Sequence, residues 1–121
     1  MKIYICEHCG RMVIEVKGGA PMKCCGVDMV ELSPNTSDGA GEKHVPVVEV
    51  NGNNVKVNVG EVEHPMLQEH YIEWIILETN KGYQFKRLSP NEKPVCEFVL
   101  AEGEECVAAY EHCNLHGLWK A

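Results

Sequence analysis

The sequence predicts an all-β protein: a small metal-stapled N-terminal β module followed by an antiparallel, immunoglobulin-like β-sandwich. Three observations predict it. Apolar residues alternate with period two in the second half, four of the cysteines crowd the first 25 residues, and a stretch rich in Pro, Gly, Ser and Asn lies between.

The first element is a metal module with its linker over residues 1–36. Roughly 35 residues fall below the ~40 at which a chain closes a core without a metal or disulfides, so its fold must depend on an ion. Cys6-Glu7-His8-Cys9 is a Cys-x-x-Cys knuckle, whose spacing lets both sulfurs face one ion while backbone amides donate to them. Cys24-Cys25 completes four sulfurs. Thiolates at ~2.3 Å suit zinc or a single iron. A zinc staple is the plainer reading of such a set. Adjacent ligands are unusual in zinc ribbons, however, because successive side chains must bend toward one point, and that favours iron. Gly10 and Gly26, each just after a ligand, suit the tight turns that bring amides to sulfur. Ser33 to Gly41, without apolar periodicity, reads as a linker.

The second element, over residues 37–121, is the sandwich. Asn51-Gly52 signals a hairpin, and Val55, Val57 and Val59 alternate with polar residues beyond it. Ile72, Trp74 and Ile76 are expected on one strand face, with a turn at Asn80-Lys81-Gly82 and a return strand from Tyr83 to Leu88. Val95–Leu100 and Glu105–Tyr110 flank the polar turn Glu102-Gly103-Glu104, giving about six short strands. This pattern predicts the sandwich and no helix longer than a turn.

Eleven Lys plus Arg against eighteen Asp plus Glu give a formal net charge of −7, which argues against nucleic acid as a partner. The longest apolar run, Cys106–Tyr110, is far short of the ~20 residues of a membrane helix. The N-terminus reaches Cys6 too soon for a secretory signal, so a cytoplasmic protein is expected. Seven cysteines, an odd number, then point to thiolate ligands over disulfides.

Four histidines and a cysteine stand out in the second region: His44 in Glu42-Lys43-His44-Val45-Pro46, His64 in His64-Pro65-Met66, His70 before Glu73-Trp74, and Cys113 with His116 in Cys113-Asn114-Leu115-His116-Gly117. Singly, each His is more often a hydrogen-bonded residue than a ligand. Together, bordering turns and strand ends, all five are placed to converge at one end of the sandwich. Cys96 and Cys106 alternate with apolar neighbours and read as buried small hydrophobes. His8 and His112 are expected in solvent.

In these motifs the whole chain resembles the superoxide reductases, specifically the two-iron desulfoferrodoxins. The N-terminal cysteines resemble a desulforedoxin-type module, and the rest resembles the neelaredoxin-like catalytic domain. The resemblance implies two iron ions per chain: Fe(Cys)4 on Cys6, Cys9, Cys24 and Cys25, and Fe(His)4(Cys) with His44, His64, His70 and His116 equatorial, Cys113 axial and the sixth position open. It further implies one-electron reduction of superoxide to hydrogen peroxide. Lys43 would attract superoxide and order a proton-donating water, and Glu42 would close over the open position when iron is ferric. A rubredoxin-like electron donor and a homodimer are implied as well. The rival readings are a non-enzymatic iron electron carrier and a zinc-binding module; the five-donor second site does not suit the latter.

Overall fold

The computed structural model describes all 121 residues, which divide into two compact units, Met1–Ser33 and Pro34–Ala121. In the first unit, β1 (Lys2–Ile5) pairs antiparallel with β2 (Met12–Glu15), and the short strands β3 (Lys23–Cys24) and β4 (Val27–Asp28) form a separate ribbon. β5 (Val30–Glu31) then pairs with the free edge of β1, giving the sheet order β2-β1-β5. Ile3 and Cys6 are the buried core-type residues of this unit, so little apolar surface holds it together.

The second unit begins with one helical turn, α1 (Gly41–His44), and runs directly into β6 (Pro46–Asn51). Pro46 opens an edge strand, where a missing N–H costs no ladder bond. Gly52, at φ +63°, turns β6 into β7 (Asn54–Val59) at the Asn51-Gly52 signal. β8 (Ile72–Thr79) and β9 (Gly82–Arg87) form the second hairpin, followed by β10 (Val95–Val99), β11 (Cys106–Cys113) and β12 (Gly117–Lys120). The strands assemble as two antiparallel sheets, ordered β10-β7-β6 and β12-β11-β8-β9. Val55, Val57, Val59, Cys96 and Phe98 from one sheet meet Ile72, Ile75, Leu77, Ala109 and Cys113 from the other. This is the all-β architecture that the alternation predicts. No helix is long and apolar enough to cross a membrane.

Three expectations need correction. Ile72, Trp74 and Ile76 do not share the core face, because the β8–β11 register shifts between His112 and Cys113. That bulge reverses the alternation after Ile72, so Ile75 and Leu77 enter the core cluster while Trp74 and Ile76 point to the opposite face. His112 is not solvated: it is buried, its Nδ1 lies 2.7 Å from Glu73 Oε1, and its ring stacks on Trp74 at 5.6 Å. Nor are residues 35–39 a slack linker. Asn35 donates its amide to the Leu118 carbonyl (3.0 Å) and exchanges two side-chain bonds with Lys120, so this segment is laced onto β12. Cys96 is buried as expected, whereas Cys106 is half-buried at the edge of the core; His8 is exposed.

Candidate metal centres

In the first unit the cysteine knuckle follows β1. The Cys6 amide donates to Arg11 O and the Gly10 amide to Cys6 O, both at 2.8 Å, and Gly10 takes φ +82° to close the loop. The second pair sits on the tight hairpin from β3 to β4, where Cys25 (φ +55°) and Gly26 (φ +76°) are both left-handed. That turn resolves the difficulty of adjacent ligands: the chain reverses between Cys24 and Gly26, so both sulfurs meet one point. Cys9 Sγ lies 3.6 Å from Cys24 Sγ, which lies 4.0 Å from Cys25 Sγ, and all four sulfurs fall within 4.8 Å of one another. A tetrahedral ion with ~2.3 Å bonds to sulfur requires edges of about 3.8 Å, so the four thiols fit one.

Electrostatics make the same case. The Cys9 amide, opposed by burial and helped by the His8 amide, pulls Cys6 down to about 6. The Cys9 thiol holds Cys24 and Cys25 up, the latter to about 12. Four crowded sulfurs cannot all ionise unless a cation shares them.

The second group is assembled from distant parts of the chain. His44 ends α1, and its Nδ1 lies 2.8 Å from the Ala40 carbonyl; His64 follows β7, with Nδ1 2.7 Å from the Pro65 carbonyl. A carbonyl can only accept, so both Nδ1 atoms carry the proton and both Nε2 atoms present lone pairs. Those two Nε2 atoms face each other at 3.1 Å, and His44 Nε2 faces His116 Nδ1, also at 3.1 Å. Burial pushes His64 down to about 4 and lowers His44 and His70, so protonation does not relieve these contacts near neutral pH. Only a cation satisfies bases that face each other so closely. Adjacent nitrogens bound to one ion at ~2.1 Å and right angles lie about 3.0 Å apart.

The rings close a cycle. His44–His64, His64–His70, His70–His116 and His116–His44 have centroids 4.7, 4.6, 5.1 and 4.8 Å apart, each neighbouring pair inclined by at least 72°. His70 Nε2 is buried and has no hydrogen-bond partner, as expected of a donor aimed at the same point. Cys113 Sγ completes the group, 3.8 Å from His116 Nδ1. The β8–β11 bulge turns Cys113 inward, and its thiol is raised by burial while the Leu115 and His116 amides pull the other way.

The hairpin loop that carries Cys113 and His116 is braced by Asn114, which sequence reasoning missed. Its side chain accepts from the Tyr71 amide (3.0 Å) and donates to Glu69 O (3.0 Å), tying the loop to the His70 segment. Glu42 and Lys43 are exposed on the turn before His44, and the Lys43 charge acts on both His44 and His70. Gly60 (φ +82°) holds this turn closely: a Cβ there would lie 2.6 Å from the Lys43 carbonyl.

Comparison with known proteins gives the family. The family model described as Desulfoferrodoxin matches residues 36–121. The chain belongs to the desulfoferrodoxin family. It is 48% identical over 123 residues to the desulfoferrodoxin of Nitratidesulfovibrio vulgaris, covering 99% of this chain and 94% of that protein. The superoxide reductase of Pyrococcus horikoshii is 35% identical over 109 residues, covering 76% of this chain and 95% of the relative. Among solved structures, the superoxide reductase from Treponema pallidum superposes with a TM-score of 0.83 at 39% identity, covering 100% of this chain and 99% of that one. This desulfoferrodoxin therefore carries the donor sets of two iron centres, four thiolates in one unit and four imidazoles with one thiolate in the other.

Proposed function

We propose that this desulfoferrodoxin is a superoxide reductase, in which His44, His64, His70, His116 and Cys113 hold the catalytic iron and superoxide is reduced by one electron to hydrogen peroxide. The observation that carries this reading is the closed ring of four imidazoles with one thiolate beside it, a set that no sixth side chain joins. Ferrous iron held by these residues would supply the electron and attract a small anion.

The chain's own residues account for the rest. Four neutral imidazoles and one thiolate cancel only one of the ion's two charges, so the donor set leaves the site attractive to an anion despite the net charge of −7; distant carboxylates are screened over ~8 Å. Cys113 donates electron density through sulfur, which favours release of the electron. Lys43, exposed at the turn beside His44, adds positive charge at the mouth and orders water there; superoxide takes one electron and two protons to leave as hydrogen peroxide. Glu42, exposed on the same turn, is the carboxylate that this reading assigns to closing over the site, where it would shield a ferric ion.

The same reading assigns residues 1–36 to an iron module on Cys6, Cys9, Cys24 and Cys25 together with its linker, and 37–121 to the catalytic domain. It takes a rubredoxin-like carrier as electron donor, a homodimer as the working form and the cytoplasm as its place; seven free thiols suit a reducing compartment.

The test is to add superoxide to the reduced iron protein by rapid mixing. The expected result is oxidation at a bimolecular rate with one peroxide formed per superoxide. Dismutation would give half that yield with oxygen evolved, and a mere electron carrier would react slowly; either result overturns the proposal.

A further inference from the structure

Four imidazoles serve one ion only if each ring is held at the right angle, and the four are not held alike. His44 and His64 are fixed through Nδ1 by nearby carbonyls. His116 turns its Nδ1 inward, and its ring has no such tether on the outer nitrogen. It is instead anchored through its own backbone. The His116 carbonyl accepts both the Ser37 hydroxyl and the Trp119 indole N–H, the latter at 3.0 Å.

Trp119 also reaches the neighbouring corner of the ring cycle. Its indole stacks on His44 with centroids 4.9 Å apart and planes inclined by 24°. One buried side chain thus touches two neighbouring ligand residues, the His44 ring by its face and the His116 backbone carbonyl by its N–H. Gly39 closes over the same spot. A Cβ there would lie 3.1 Å from Trp119 Cζ2, 3.2 Å from His44 Cε1 and 3.4 Å from His116 Cβ. The bonds from Asn35 to Leu118 and Lys120 hold this segment on β12 and so deliver Ser37 and Gly39 to the site.

We infer that Trp119 is a positioning residue for the His4Cys centre, setting the angle between the His44 and His116 donors, with Ser37 and Gly39 as its clamp. An indole that only filled the core would be replaceable by any aromatic of similar size. The bifurcated bond at the His116 carbonyl would then be incidental. Outer partners of metal ligands commonly contribute 10- to 100-fold in metal affinity.

The inference rests on reading this group as a metal centre, and the experiment separates the two. The full chain is loaded with Co(II), and the imidazole protons shifted by the paramagnetic ion are recorded by NMR; only the His4Cys centre contains histidine ligands. A chelator competition followed on these signals then gives the Kd of that centre alone. Absence of shifted imidazole signals in the parent would overturn the metal-centre reading itself.

Given a loaded parent, Trp119→Phe with Ser37→Ala is expected to weaken Co(II) binding by about 10- to 100-fold. It should move the His44 and His116 signals more than those of His64 and His70. Ser37→Thr, which keeps the hydroxyl, should behave as the parent. Ser37→Ala alone, at an exposed position, keeps the test valid if the tryptophan variant does not fold; it should weaken binding and move His116 first. Unchanged Kd and signals in Ser37→Ala and in the double variant would overturn the inference. So would a weakening that merely follows a fall in thermal stability, with all four imidazoles shifted alike.

Discussion

The two centres are built on opposite principles. The cysteine site draws its donors from residues 6 to 25, on turns beside short strands, with Cys9 and Cys25 exposed and scarcely any core beneath. The histidine site draws on residues 44 to 116, with His44, His64 and Cys113 buried at the end of a sandwich that packs two sheets through its own apolar side chains. In the first unit the ion must supply the stability that a core would give. In the second the fold exists first and presents lone pairs to the ion. The same kind of event, loss of a metal, should therefore be structural in one unit and chemical in the other.

Chelation offers the largest expected effect. Structural metal binding by four thiolates supplies folding free energy on the order of 10 kcal/mol. Stripping both ions should abolish hydrogen-exchange protection across Met1–Ser33 while β7, β8 and β11 keep theirs. Protection surviving in the β1–β2 ladder would break the comparison, because it would give the first unit stability of its own.

Next in size is Cys113→Ser. The hydroxyl fits the buried position but is a far weaker donor, so the second unit should stay folded. The sulfur-to-iron charge-transfer absorption of that centre should vanish, and the superoxide rate should fall at least 100-fold; persistence of the band would move the axial sulfur to another residue. Smaller again is Lys43→Ile. With Lys43 exposed on the α1 turn, its charge steers more than it binds, so the bimolecular rate should drop roughly tenfold and lose most of its salt dependence. A rate and salt dependence equal to the parent's would remove Lys43 from the mechanism.

The comparison also explains what the sequence discloses. Donors close together in the chain announce themselves by spacing, and the Asn51-Gly52 turn with Val55, Val57 and Val59 specifies its hairpin locally. The histidine site is legible as a list of residues because its motifs are distinctive, but its supports are not. Asn35 and Lys120 are 85 positions apart, and Ser37 and His116 are 79 apart. Segment 35–39 has the composition of a linker, and nothing in its own pattern says that it lies along β12. The bulge opposite Cys113 is equally silent: Ile72, Trp74 and Ile76 alternate in sequence, and only pairing with β11 reverses their phase. His112 follows from the same shift, since its partners Glu73 and Trp74 belong to the other strand.

Glu111 gives the smallest and sharpest test of the claim that the second unit stands on its own core. It pairs with Ile75 and Trp119 across the sheet, is 0% exposed, and neither carboxyl oxygen has a partner. Burial pushes its carboxyl up to about 9 from an ordinary value near 4.5. The folded chain then holds a proton that the unfolded chain has released between these two values, so this group makes stability fall as pH rises through that window. His44, His64 and His70, lowered by burial, act with the opposite sign, but they are common to parent and variant and cancel in the difference. Glu111→Gln keeps the shape and removes the titration. It should raise the thermal midpoint of the metal-free second unit at pH 8 by an amount worth about 1 to 2 kcal/mol, with the curves converging toward pH 4.5. Thermal unfolding between pH 5 and pH 8.5 measures this directly. A parent–variant gap that does not widen with pH would mean that the carboxyl finds a partner in solution, and that this core does not hold an uncompensated acid without help from an ion.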